Sequence, residues 1–286
     1  MTASFKADTS AARQAWARRI VAQAAAPNRH EEARLIAAFS AVAREHFVGP
    51  PPWQVSGEST GGWTTERDPG RLYRDVLVRL AGDRGINNGQ PSLHALCLAA
   101  LNLKPGDVVL HVGAGTGYYS AVMAELVGPR GTVHAYEIEA DLADVARRNL
   151  APWPRVQVYS ASATEGALPH ADAVHVNAGA TRPHHVWLDA LKPGGRLCFP
   201  LTGEGSSGGM LLVTRRRNGF SARFLTRVSF IDCAGARDPA EARALSDAFA
   251  VRDIGSVRSL GRGPAPGHGV WVAGDDWWLS TDQPDD

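Results

Sequence analysis

Three glycines and one carboxylate carry the clearest chemistry in this sequence. The stretch His111-Val112-Gly113-Ala114-Gly115-Thr116-Gly117-Tyr118 follows the apolar run Val108-Val109-Leu110, which reads as a buried parallel strand. It precedes residues 119–127, whose Ala121, Val122, Ala124, Leu126 and Val127 suit a buried helix. Strand, glycine turn and helix in that order aim backbone N–H groups at a ligand. Gly113 permits the tight turn, and Gly115 and Gly117 keep Cβ atoms out of the ligand's approach. Twenty residues beyond Gly117, at the end of a second strand over 132–138, stands Glu137. A carboxylate there accepts both hydroxyls of a ribose. A glycine turn alone is a weak signal, but with the acidic strand end it predicts an adenosine-containing cofactor.

The elements that must hold these groups follow in chain order. Residues 10–25 and a second segment begun by Asn28 as N-cap read as helices, the second with Leu35, Ile36, Phe39 and Val42 at helical spacing. From Gly49 to Gly70 the composition shifts to Pro, Gly, Ser, Thr and Trp, which predicts either a functional lid or a packed surface loop anchored by Trp53 and Trp63. The polar turn Gly85-Ile86-Asn87-Asn88-Gly89-Gln90-Pro91 feeds a helix over 92–101 with His94 on its first turn. Asp141 caps a helix reaching Leu150, residues 155–160 and 172–177 read as strands, and Leu191 to Leu197 turns into another. Asn218-Gly219 separates two apolar runs as a hairpin would, with Arg215, Arg216 and Arg217 as its solvated end. A helix over 239–251 and short strands at 270–272 and 277–279 close the chain. Alternating strands and helices followed by a hairpin predict an α/β fold, a doubly wound, mostly parallel sheet with an antiparallel edge.

Composition narrows the function classes. With Lys+Arg 30 against Asp+Glu 29 the net charge is +1, so nothing global favours nucleic acid or an anionic membrane as partner. Cys97, Cys198 and Cys233 lack C-x-x-C spacing and read as reduced core cysteines, neither disulfides nor a metal site. No apolar run approaches the ~18 residues of a membrane helix, and the Arg-rich N-terminus has no secretory apolar region. The expectation is a soluble, cytoplasmic protein of undetermined oligomeric state.

The sequence resembles the protein-L-isoaspartate O-methyltransferase family, within the class I methyltransferases that depend on S-adenosyl-L-methionine (SAM). Arg44-Glu45-His46-Phe47-Val48 is similar to that family's RxxFV, Gln90-Pro91-Ser92-Leu93-His94-Ala95 to its S-[QA]-P-x-[MV]-x-A, and Val112 to Tyr118 to its [IV]-G-[ST]-G-[ST]-G-Y. Asp172 to Ala180 resembles YDAIHVGAAA, and Leu191 to Leu201 resembles LKPGGRLxxPV. The resemblance spans roughly residues 30 to 235. It implies a Rossmann-like core over 86–233, with N-terminal helices and a lid-like loop before it (1–85) and an extension after it (234–286). It further implies that Gly113, Gly115 and Gly117 line the methionine end of SAM and that Glu137 holds the ribose. Ile138 would pack on the adenine, with Ser162, Ala163 and Asn177 at neighbouring strand ends, and Asn87 and His94 would wall the cofactor. Asn88, Gly89 and Gln90 would face the reacting carboxylate.

Two departures from the family bear on function. Where the family has T-[IV]-S, this chain has Asn87-Asn88-Gly89, so the serine hydroxyl beside the carboxylate is missing and the Asn87, Asn88 and Gln90 amides are the expected donors. Where the family has GDG, this chain has Ala161-Ser162-Ala163, which replaces an aspartate partner of the adenine amino group by a hydroxyl. The implied reaction is methyl transfer from SAM to a carboxylate, most simply that of an isoaspartyl or aspartyl residue in a protein or peptide. A carboxylate is ionised at neutral pH and attacks the methyl group without a catalytic base, so alignment and water exclusion would supply the catalysis. A repurposed methyltransferase for a natural-product peptide or small molecule, and a non-catalytic SAM-fold binding module, are the alternatives left open at this point.

Overall fold

The computed structural model describes residues 9–56 and 62–284. In chain order the elements are α1 (Thr9–Ala22), α2 (Arg29–Ala41), β1 (Trp53–Ser56), β2 (Trp63–Glu66), β3 (Arg79–Ala81), β4 (Ile86–Asn87), α3 (Pro91–Leu101), β5 (Val108–Val112) and α4 (Tyr118–Val127). There follow β6 (Thr132–Glu137), α5 (Ala140–Asn149), β7 (Val156–Ser160), β8 (Ala171–Val176), α6 (His185–Ala190), β9 (Leu191–Thr202), β10 (Ser207–Arg216), β11 (Gly219–Ser229), α7 (Pro239–Val251), β12 (Ser259–Arg262), β13 (Val270–Ala273) and β14 (Trp277–Ser280). The chain forms two compact units, one of residues 1–107 and 114–160, the other of residues 108–113 and 161–286.

In the first unit, α1 buries Trp16, Ala17, Ile20 and Val21 against α2, where Trp16 meets Phe39 edge to face at 5.9 Å. Fully burying a side chain such as Phe39 contributes about 2 kcal/mol. Asn28 caps α2 as expected, its Oδ1 accepting from the Glu31 N–H at 3.0 Å. The stretch from Gly49 to Gly70 holds more order than its composition suggests: β1 and β2 pair antiparallel from Trp53↔Glu66 to Ser56↔Trp63. Trp53 packs with Val48, Val55, Leu72, Val76 and Val78, and the Arg79 guanidinium lies 4.3 Å over the Trp63 ring. Both tryptophans therefore anchor their strands; residues 57–61 of that expected lid, like residues 1–8 and 285–286, lie outside the described residues. The pair β6 and β7 runs parallel, ending at Glu137↔Ser160. Asp141 does not cap α5: the N-cap is Glu139, two residues earlier, and Asp141 pairs with Arg84 at 2.6 Å.

In the second unit, β5, β8 and β9 are parallel, and β9, β10 and β11 are antiparallel. Asn218-Gly219 makes the expected hairpin turn. The Arg215 side chain is not merely solvated, since its Nη1 donates to the Leu191 carbonyl. Two elements escape the sequence pattern. The short helix α6 brings Trp187 into the core, where its indole N–H donates to the Ala163 carbonyl at 2.8 Å. The other is β12, which pairs between β11 and β14. Through it the chain beyond residue 234 extends the sheet as β11-β12-β14-β13 and so covers the hairpin's free edge. Phe249 of α7 and Phe224 of β11 close on Trp271 at 5.2 and 5.4 Å. The three cysteines are free and buried, as expected of core residues. Among the described residues no helix is long and apolar enough to cross a membrane. The architecture is an α/β, Rossmann-like fold with an antiparallel C-terminal hairpin.

Candidate functional site

The first unit holds Glu137 at the carboxyl end of β6, only 6% exposed. Its Oε2 accepts from the Gly115 N–H at 2.6 Å and its Oε1 from the Glu139 N–H at 3.0 Å. Each oxygen of a carboxylate has two lone pairs, so acceptor capacity remains for the hydroxyls of a ribose. Among the described residues no lysine or arginine pairs with it. Burial pushes its pKa up, against the pull of its backbone donors. Beside it Ile138 is 53% exposed, one of the few large apolar side chains left uncovered. A buried acceptor with spare lone pairs next to a bare apolar face fits a nucleoside, and these residues fit the adenosine half of SAM.

The glycines serve different ends. Gly115 has φ +56° and presents its N–H to Glu137. Gly117, at φ +95°, begins α4, and a Cβ there would come within 2.7 Å of Leu150 Cδ1. Packing against Leu150 and the left-handed backbone both require glycine at 117. In the second unit Gly113, at φ +74°, lies against Asn177, whose Nδ2 is 2.7 Å from His111 Nε2 and 3.5 Å from the Gly113 carbonyl. Asn177 Oδ1 is buried without a partner among the described residues. The Ser162 hydroxyl is engaged locally, 2.7 Å from Thr164 Oγ1 and accepting from the Thr164 N–H, while the Ala163 carbonyl serves Trp187. The Ser162 hydroxyl is thus spent within its own turn, and the Ala163 carbonyl on the indole of Trp187.

The polar turn from Asn87 to Gln90, again in the first unit, is tightly tied. Asn87 Oδ1 accepts from the Gly89 N–H at 2.9 Å. Gln90 Nε2 donates to Asp75 Oδ2 at 2.8 Å and to Ser92 Oγ at 3.2 Å, so its amide secures the start of α3. Gln90 is therefore not the donor expected of it. Asn88 is 8% exposed; its Oδ1 accepts from Arg44 Nη2 and from the Val78 N–H, and its Nδ2 is buried without a partner among the described residues. Gly89, at φ +72°, has no room for a side chain: a Cβ would lie 2.2 Å from His94 Nε2. His94 stacks on Tyr119 with ring centroids 3.5 Å apart, and the Tyr119 hydroxyl donates to the Gly89 carbonyl at 3.3 Å. Two contributors had no role assigned from sequence. Tyr119 was legible only as part of a helix, and Arg44 only as part of a motif, although an arginine three residues before the apolar pair Phe47-Val48 was a signal of burial.

Comparison with known proteins adds to this geometry. A family model described as Protein-L-isoaspartate(D-aspartate) O-methyltransferase (PCMT) matches residues 61–238. The chain is 33% identical over 199 residues to a protein-L-isoaspartate O-methyltransferase of Pyrobaculum neutrophilum, covering 68% of this chain and 87% of that relative. It is 40% identical over 136 residues to the Methanopyrus kandleri protein of the same name, 46% of this chain and 59% of that one. Among solved structures, a protein-L-isoaspartate O-methyltransferase superposes with a TM-score of 0.65 at 18% identity, over 94% of this chain and 88% of that one. A Plasmodium falciparum protein described as a putative member of that family, solved with S-adenosyl-L-homocysteine, gives 0.60 at 19% identity, over 78% and 98%. At such identities the superpositions speak for the fold.

Proposed function

The chain belongs to the protein-L-isoaspartate(D-aspartate) O-methyltransferase family of SAM-dependent enzymes, and from that premise we propose that it methylates the carboxylate of an isoaspartyl residue in a cytoplasmic protein or peptide. The observation that carries the site assignment is Glu137, a buried carboxylate with acceptor capacity to spare beside the bare face of Ile138. Bound SAM supplies an electrophilic methyl group on a sulfonium centre. Glu137 binds the ribose hydroxyls, Ile138 covers one face of the adenine, and Gly115 holds Glu137 in register with the turn. The Asn88 amide orients the incoming carboxylate by N–H donation. The acceptor is ionised near neutral pH, so no residue has to remove a proton, and the chain contributes by holding two reactants in line and excluding water.

The test uses labelled SAM and the purified full chain with one isoaspartyl peptide beside its aspartyl twin. Base-labile label on the isoaspartyl peptide alone is the expected result. Intact SAM binding by calorimetry with no label on that peptide overturns the acceptor assignment.

A further inference from the structure

We infer that Arg44 is a positioning residue for methyl transfer: its buried guanidinium holds the Asn88 amide so that Nδ2 donates to the methyl-accepting carboxylate. The inference rests on the acceptor reading above and deepens it. Arg44 is fully buried. Its guanidinium donates to the Leu72 carbonyl at 2.7 Å, the Arg74 carbonyl at 3.4 Å, the Val76 carbonyl at 2.6 Å and Asn88 Oδ1 at 3.0 Å. All four acceptors are neutral, and among the described residues no carboxylate forms an ion pair with it. Buried charges are ordinarily paired, so the arrangement leaves a positive centre suited to an arriving anion.

Asn88 transmits that centre. Its own N–H donates to the Val78 carbonyl at 2.9 Å, while its Oδ1 accepts from the Val78 N–H at 2.9 Å as well as from Arg44. Both lone pairs of the amide oxygen are used. Rotating the amide by 180° would set its NH2 group against a guanidinium and an N–H, so the hydrogen-bond network itself fixes which atom is nitrogen. Nδ2 then stands buried with no acceptor among the described residues. A donor left in that state is costly. A guanidinium on the amide oxygen also polarises the group and strengthens its N–H bonds toward an anion. An anionic oxygen at Nδ2 satisfies both the orphan donor and the unbalanced charge.

The competing account is that Asn88 merely stitches the turn to Val78. Asn88→Asp separates the two. Aspartate keeps oxygens for Arg44 and Val78 and gains an ion pair, so a stitch survives; the donor, however, becomes a second anion facing the substrate. With SAM and the isoaspartyl peptide, the expected kcat/KM falls about 100-fold, with the melting temperature unchanged or raised and S-adenosyl-L-homocysteine affinity within about twofold. Arg44→Lys keeps the charge but loses the fork, and the expected loss of about tenfold falls on the peptide KM more than on kcat. A second readout needs no turnover: in the full chain loaded with S-adenosyl-L-homocysteine, the side-chain amide resonance of Asn88 shifts downfield on titration with acetate. Should the wild type leave the isoaspartyl peptide unlabelled, the acceptor reading fails and the acetate titration alone decides the role of Arg44 and Asn88. Activity of Asn88→Asp within threefold of wild type, or an Asn88 resonance unmoved by acetate, overturns the proposal.

Discussion

Two glutamates of this chain are almost equally buried and do opposite work. Glu137 is 6% exposed and Glu241 is 5% exposed. Glu241, on α7, is saturated by side chains: Oε2 accepts from Arg182 Nε at 2.8 Å and Thr181 Oγ1 at 3.1 Å, and Oε1 from the Trp277 indole N–H at 2.8 Å. It ties the loop after β8, α7 and β14 together. Among the described residues Glu137 takes its donors from backbone N–H groups of its own turn and the glycine loop, and pairs with no cation. A buried carboxylate whose partners are side chains from distant elements is a fastener. One held by its own turn, with lone pairs to spare, is prepared for a ligand. Burial alone does not tell the two apart; the source of the hydrogen bonds does.

The largest effect expected from this contrast lies at the fastener. Glu241→Ala leaves Arg182, Thr181 and Trp277 without their common acceptor. Breaking a buried pair costs about 3 kcal/mol, less some screening because Arg182 is partly exposed. In a chain of this size that is a fall of about 6–10 °C in melting temperature, with SAM affinity unchanged by calorimetry. A fall under 2 °C would break the comparison.

A buried pair of histidines shows what neither glutamate does. His111 and His175 are register neighbours on β5 and β8, both fully buried, with rings 5.7 Å apart. Burial lowers both, His175 to about 4 from its ordinary 6.5 and His111 well below 6.5, where the positive charge of a protonated His175 adds to the effect. Folded His175 therefore stays neutral while the unfolded chain takes up a proton. Its contribution is fully present above pH 6.5 and is lost as pH falls from 6.5 to about 4, by about 3 kcal/mol for His175 alone. Urea midpoints measured across that range should decline with acid, and His175→Gln should flatten the slope.

At the ligand-ready glutamate the effect moves from stability to binding. Glu137→Gln loses a charged acceptor, worth about 1.5–3 kcal/mol per hydrogen bond, so SAM affinity should fall about 10- to 100-fold by calorimetry. Relief of a buried charge offsets the mismatch of one amide N–H with a backbone donor, which keeps the melting temperature within about 2 °C. The pH dependence has the opposite sign to that of His175. Folded Glu137 has its pKa above 4.5, so the folded chain binds the extra proton. Glu137 therefore costs ligand-free stability as pH rises from 4.5 through its folded value, while SAM affinity rises over the same window.

The sequence made one of these two glutamates legible and hid the other. Glu137 announces itself because a strand, a glycine turn and an acid a fixed distance away are local patterns, each set by backbone geometry within a single βαβ unit. Glu241 sits in an unremarkable helix, and its partners lie 59, 60 and 36 residues away. Nothing in a local pattern encodes such contacts. The same holds for β12, whose Ser-Leu-Gly-Arg has no alternation to read and is a strand only because β11 and β14 flank it. Gln90 was legible as a polar donor but not as one already bound to Asp75, since that requires knowing where residue 75 returns.

The sharpest reading that sequence could not complete concerns Gly89. Against the family pattern it is a lost serine; in the structure it is a vacancy that His94 fills. A Cβ at residue 89 would stand 2.2 Å from His94 Nε2, on a backbone at φ +72°. Restoring the family residue by Gly89→Ser should therefore harm the protein. The left-handed backbone costs about 1–2 kcal/mol for a residue with a Cβ, and the imidazole must leave its stack on Tyr119. Expected are a melting temperature lower by about 3–6 °C and methyl transfer reduced about tenfold. Removing the obstruction in Gly89→Ser/His94→Ala should recover part of both, so that the two substitutions are non-additive. Additive losses, or a serine variant as stable as the parent and faster on the isoaspartyl peptide, would show that the hydroxyl was simply lost and that His94 has not taken its space. A positive coupling would mean that the His94 imidazole occupies the space a side chain at residue 89 would need, with the Asn88 amide left as the side-chain donor of the turn.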